Sequence, residues 1–172
     1  MFRARPRECE RQVKESPRAP LGLGALTPNI WDRVLETNTF AGRFCSRGFA
    51  AERRRHKSGR IVNIASLAGI APGGSSIAYA ASKAALIHLT HCLAVALSPD
   101  VTVNCVAPGL VEGTRMAERV PEAVKQMARA QSVLGRTGSA NDIAQMVVGY
   151  CRMESVTGQT IVADGGNPMG MR

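Results

Sequence analysis

The sequence predicts an α/β domain with a parallel sheet of about three strands and helices on its faces. Three observations carry that prediction. Short β-branched runs at residues 61–65, 101–106 and 159–163 read as buried strands. Longer segments with helical start and stop signals lie between them. Strands that alternate with helices imply parallel pairing through right-handed crossovers. The length of 172 residues suits one domain with its own core. Aromatic residues make up only 4%, so that core must be aliphatic and alanine-rich.

In chain order, residues 1–20 are rich in Arg, Glu and Pro, lack apolar periodicity and read as a disordered basic tail. Gly22 and Gly24 match half of a Gly-x-Gly-x-x-Gly loop. No strand precedes them and no third glycine follows, so they read as a turn. Thr27-Pro28 can cap and start a helix from about residue 29 to about 54. Ile30, Val34, Leu35, Phe40, Phe44 and Phe49 can form its apolar side, and Ser58-Gly59 ends it. The strand at 61–65 is followed by Ser66 and by a loop from Gly69 to Ser76. A helix follows from about Ser76 to Leu97 and is apolar almost all round over 84–97. Such a helix must be covered on more than one side, by a further layer or by a second subunit, and the subunit is the expectation. The strand at 101–106 runs into Ala107-Pro108-Gly109. A helix near 121–131, a turn at Arg136-Thr137-Gly138, and a helix capped by Ser139 or Asn141 and ending near Cys151 come next. The strand at 159–163 closes on Asp164-Gly165-Gly166, and no internal repeat is visible.

The net charge of +9 is local. Residues 1–20 carry +3, residues 43–60 carry +6, and the remainder sums to zero. The run Arg53-Arg54-Arg55-His56-Lys57 reads as the solvated end of a helix, where cations suit the macrodipole. No aromatic residue interleaves it, so nucleic acid is not an expected partner. The five cysteines (Cys9, Cys45, Cys92, Cys105, Cys151) are scattered without a Cys-x-x-Cys pair. Neither a disulfide framework nor a metal site is expected. No apolar run is read as a membrane span and no signal peptide is recognised, so the expected location is cytoplasmic.

Tyr79 and Lys83 lie four residues apart in Tyr79-Ala80-Ala81-Ser82-Lys83, and Ser66 lies thirteen residues before the tyrosine. On a helix, Tyr79 and Lys83 share a face. At roughly 5 Å and an effective dielectric of about 20, the ammonium favours phenolate by ~3 kcal/mol. That would lower the phenol pKa by on the order of 2, toward neutrality. A nearby serine hydroxyl could hold the oxygen that gains or loses the proton. The pair alone is a weak signal, but its setting strengthens it. Ligands bind at the carboxyl ends of parallel strands. Ser66 and Pro108-Gly109 each follow such an end.

Taken together, these residues resemble the short-chain dehydrogenase/reductase family. The matching segments are Trp31-Asp32-Arg33-Val34-Leu35-Glu36-Thr37-Asn38, Gly59-Arg60-Ile61-Val62-Asn63-Ile64-Ala65-Ser66, Tyr79 to Lys83 and Val103 to Gly109. Gly135-Arg136-Thr137-Gly138, Thr157-Gly158-Gln159 and Asp164-Gly165-Gly166 complete the set. The resemblance covers roughly residues 21–168. It implies a partial Rossmann-type sheet that binds NAD or NADP and forms homo-oligomers through the helix at 76–97. It implies hydride transfer between the nucleotide and a small-molecule carbonyl or secondary alcohol. Tyr79 would be the acid/base, Lys83 would tune it and hold the nicotinamide ribose, and Ser66 would bind the substrate oxygen. Asn38 would anchor a relay water near Lys83. Pro108, Gly109, Val111 and Thr114 would contact the nicotinamide, with Gly113 displacing the threonine by one position from the commonest pattern. Residues 110–133, with Met116, Val120, Val124 and Met127, would form a substrate-side flap. The family's glycine-rich phosphate loop is not found before Asn38, so residues 21–172 read as a truncated domain with an open edge at 61–65. The alternative expectation is a catalytically silent remnant that acts at most as an oligomerisation module.

Overall fold

The computed structural model describes residues 26–40, 42, 59–72 and 76–171. The tail, Gly22, Gly24, Cys9, Cys45 and the basic run at 53–57 lie outside the described residues. Three strands, β1 (Gly59–Ile64), β2 (Val101–Pro108) and β3 (Thr160–Ala163), form one parallel sheet in the order β1-β2-β3. The register pairs Ile61 with Val103 and Pro108 with Ala163. The sheet is therefore α/β and Rossmann-like, and its three carboxyl ends lie along one edge.

The central strand β2 separates two apolar layers. Val101 and Val103 pack with Ala94, Leu97, Ile61 and Leu93, while Cys105 and Ala107 pack with Ala65, Ile70, Ile87 and Val162. These odd positions face α2 (Ile77–Leu97). Val106 faces the other way, toward Tyr150, Ile143, Met146 and Val147 of α5 (Ala140–Arg152). Burial on both faces explains why β2 reads as an almost unbroken apolar run. Val103 and Val106 are fully buried, worth about 1.5–3 kcal/mol each.

Ser76 caps α2 by accepting from the Tyr79 amide at 3.2 Å. Ala78, Ser82, Leu86, Thr90, Ala94 and Leu97 are its buried positions. That stripe meets the sheet and also a second layer, made by α1 (Pro28–Leu35) and the turn after it. The Thr39 hydroxyl donates to the Ser82 carbonyl at 3.0 Å. Helix α2 thus gains a further layer from its own chain on this side, one of the two coverings the sequence allowed. Its outer face, with Ala81, Ala84, Ala85, His88 and Val95, stays exposed, and Val95 is 82% accessible. Helix α2 also corrects the sequence reading that no segment has the length of a membrane span. By length and composition it qualifies. Lys83 and Thr90, whose polar groups bond into the domain, place it as a helix packed on a sheet.

Two elements differ from the sequence reading. The helix expected from about residue 29 gives way at Glu36–Phe40 to a π turn. The wider turn lets both Asn38 and Thr39 reach Ser82. Residues 43–58, which include Phe44 and Phe49, lie outside the described residues. A short helix α3 (Arg115–Glu118), capped by Thr114, precedes α4 (Glu122–Gln131). Helix α5 is capped by Ser139, one of the two expected caps, through a capping box with Asp142.

Candidate active site

The chemistry-bearing residues gather at the carboxyl ends of β1 and β2. Ser66, two residues past β1, caps a short 3₁₀ turn, Leu67–Gly69, by accepting from the Ala68 amide at 3.2 Å. A Cβ at Gly69 would lie 2.7 Å from the backbone at Lys83 and Ala84. Glycine lets this turn press against α2 where the lysine emerges, and that approach sets Ser66 opposite Tyr79. The Tyr79 phenol lies close enough to the Ser66 side chain for that side chain to favour its ionised form. The Lys83 ammonium stands 5.6 Å from the centre of the tyrosine ring and donates to the Ile64 carbonyl at 2.9 Å.

Burial decides the electrostatics. Loss of water pushes the Tyr79 phenol above its ordinary value of 10.0, and the Ser66 side chain opposes this only in part. Burial likewise pulls Lys83 down, with Cys105 acting against it. The sequence reading had the ammonium bringing the phenol toward neutrality. The direction found is the opposite, because desolvation of the phenol outweighs the opposing effect of Ser66.

Asn38 sits in the π turn and donates through Nδ2 to Ser82 Oγ at 3.0 Å, and Ser82 Oγ donates to the Tyr79 carbonyl at 2.7 Å. The structure therefore links Asn38 to the residue before Lys83. Ser82 was missed in the sequence, although its place inside the Tyr-to-Lys interval was the available signal. Pro108 ends β2. Gly109 donates to the Ala163 carbonyl at 3.0 Å, and a Cβ there would lie 2.7 Å from Asp164 Cβ. Val111 forms a parallel bridge with Gly138. The Thr114 hydroxyl is committed locally: it donates to the Val111 carbonyl at 2.9 Å and accepts from the Ala117 amide at 3.3 Å. The structure thus brings Ser66, Tyr79 and Lys83 into one group and places Pro108, Gly109, Val111 and Thr114 along the adjoining strand end.

The comparisons bear on the same elements. Residues 19–167 match the profile of the family described as Enoyl-(Acyl carrier protein) reductase. The chain is 39% identical over 126 residues to the short-chain dehydrogenase/reductase homolog YusR of Bacillus subtilis, covering 73% of this chain and 96% of that one. A crystal structure of 3-oxoacyl-[acyl-carrier protein] reductase from Brucella melitensis is 30% identical, with a TM-score of 0.81. It is matched over 87% of this chain and 56% of that one. A 4-hydroxyisoleucine dehydrogenase complexed with NADH is 30% identical, with a TM-score of 0.77, over 87% of this chain and 64% of that one. The chain spans between 53% and 58% of several other curated relatives that it matches. A profile match across most of the sequence and a parallel sheet shared with these structures lead to one conclusion: the chain belongs to the short-chain dehydrogenase/reductase family.

Proposed function

We propose that this chain carries the proton-transfer and nicotinamide-facing part of an oxidoreductase that interconverts a carbonyl and a secondary alcohol, using NAD or NADP. The observation that carries the reading is a half-buried phenol next to a serine side chain and 5.6 Å, at its ring, from a lysine ammonium, at the carboxyl edge of a parallel sheet. The donor set fits the ribose end of a nicotinamide nucleotide. Lys83 spends one donor on Ile64, and an ammonium has three. Bound there, the nucleotide would supply or accept the hydride.

The remaining work falls to side chains. Ser66 holds the substrate oxygen, which leaves that oxygen within reach of the Tyr79 hydroxyl. In the reductive direction the phenol gives its proton to the oxygen as negative charge builds there. Its raised pKa keeps it protonated for that task. Lys83 stabilises the phenolate that results and binds ribose hydroxyls. Asn38 fixes the start of α2 through Ser82 and holds a relay water. Pro108, Gly109, Val111 and Thr114 face the nicotinamide, with backbone rather than the committed Thr114 hydroxyl making the contact. The exposed alanine-rich face of α2 is proposed to join copies of the chain.

That same face favours a second reading, an oligomerisation module without turnover. One experiment separates the two. The purified full chain is given NADH or NADPH with small 3-ketoesters, and nicotinamide absorbance is followed. Turnover that falls by at least about 100-fold in Tyr79→Phe supports the first reading. Turnover indifferent to that change removes Tyr79 from its role. Self-association without turnover leaves the second reading.

A further inference from the structure

We propose that Glu112 is a positioning residue that latches helix α4 and the turn at 136–138 onto the Val111–Thr114 strand end, fixing the substrate-side flap. The proposal rests on the reading above for what the flap serves, and on geometry for the latch itself. Glu112 Oε1 accepts from Arg129 Nε at 2.8 Å and from the Thr137 hydroxyl at 2.8 Å. Glu112 Oε2 pairs with Arg129 Nη2 along the same fork. The third guanidinium nitrogen, Nη1, donates to Glu122 Oε1 at 3.0 Å, and Lys125 lies 3.5 Å from Glu122 Oε2. One carboxylate therefore joins three separate segments, and a bidentate pair sets orientation as well as attraction.

Apolar burial does not hold α4 in place. None of its residues is buried, and Val124 and Met127 are exposed. Its carboxyl end is hinged on the loop after β3. Ser132 Oγ bonds the Arg136 and Gly165 carbonyls, and the Val133 and Leu134 amides donate to Gly166 and Gly165. Arg129 lies three residues before that hinge, so its contact with Glu112 fixes the angle at which the helix leaves. The neighbouring residues lock the other side, through the Val111–Gly138 bridge and the Thr114 hydroxyl. The Glu112 carboxyl is held at about 2, chiefly by its Arg129 and Thr137 hydrogen bonds, and is ionised throughout the neutral range.

The test compares the full chain with Glu112→Gln, Arg129→Ala and the double variant by amide hydrogen exchange and steady-state kinetics. Each single variant is expected to speed exchange over 111–118 and 119–131 by about tenfold or more, with α2 and β2 unchanged. The double variant is expected to fall well short of the sum of the singles, because the Glu112–Arg129 pair is lost in each of them. In the kinetics, KM for the ketoester is expected to rise about tenfold while kcat changes less than about threefold. Exchange unchanged in either single variant, or additive in the double, overturns the latch. Faster exchange with an unchanged KM overturns the positioning role. If the unmodified chain shows no turnover, the functional reading fails, and the exchange footprint alone judges the latch.

Discussion

Asn104→Ala is a demanding test of how this sheet is joined. Asn104 is 1% exposed on the central strand, on the face turned toward α5. Its Nδ2 donates to the Val156 carbonyl at 2.8 Å, and its Oδ1 accepts from the Gln159 amide at 3.0 Å. The loop before β3 is thereby stitched to β2 by a side chain, alongside the backbone bond from Gly158 to Val103. Alanine would leave two backbone groups without partners. At about 1–3 kcal/mol for each, less some access to water at the loop, the loss comes to about 2–4 kcal/mol. That is a large part of a stability on the order of 5–15 kcal/mol. With a urea slope near 2 kcal/mol/M, the unfolding midpoint should fall by about 1–2 M. Asn104→Asp provides a sharper control. The new carboxyl can accept from Gln159, but it can donate to Val156 only when protonated. Its folded-state pKa should be raised, so the defect should ease as pH falls. A midpoint shift below about 0.3 M for the alanine variant would refute the assignment of these bonds as structural.

Other outcomes follow from the same geometry. Because burial raises the Tyr79 phenol above 10.0, carbonyl reduction should stay level across neutral and mildly alkaline pH, whereas alcohol oxidation should climb as pH rises toward and past that value. Profiles of kcat/KM in both directions check this, and reduction that declines already near neutrality would contradict it. The same shift makes the folded state the better proton binder, so urea unfolding should become easier as pH passes 10.0. Ala85→Arg, on the exposed face of α2, should lower the mass of the proposed homo-oligomer in light scattering, with little change in the circular dichroism of the fold. An unchanged mass would remove α2 from the interface.

The three strands and their parallel sense were legible because β-branched runs and punctuating Pro and Gly mark buried parallel strands whatever surrounds them. The carboxyl-edge grouping of Ser66, Tyr79 and Lys83 was legible too, since helix spacing and strand ends fix it. The π turn at Glu36–Phe40 was not, because it depends on Asn38 and Thr39 finding Ser82 more than forty residues away. The latch between Glu112 and Arg129 was equally hidden, for in sequence each is an ordinary surface charge. The direction of the Tyr79 shift was misread for a related reason. Spacing gives the distance to a charge, but it does not give the water lost around both partners.

The central claim is that Tyr79 passes a proton while hydride moves between a nicotinamide and a carbonyl carbon. Reduction of a ketoester with a nucleotide deuterated at its transferable position tests it most directly. Deuterium is expected on the carbinol carbon of the product formed by the full chain, with loss of that product in Tyr79→Phe. Product that carries no label, or that forms as fast in the Tyr79→Phe variant, would contradict it.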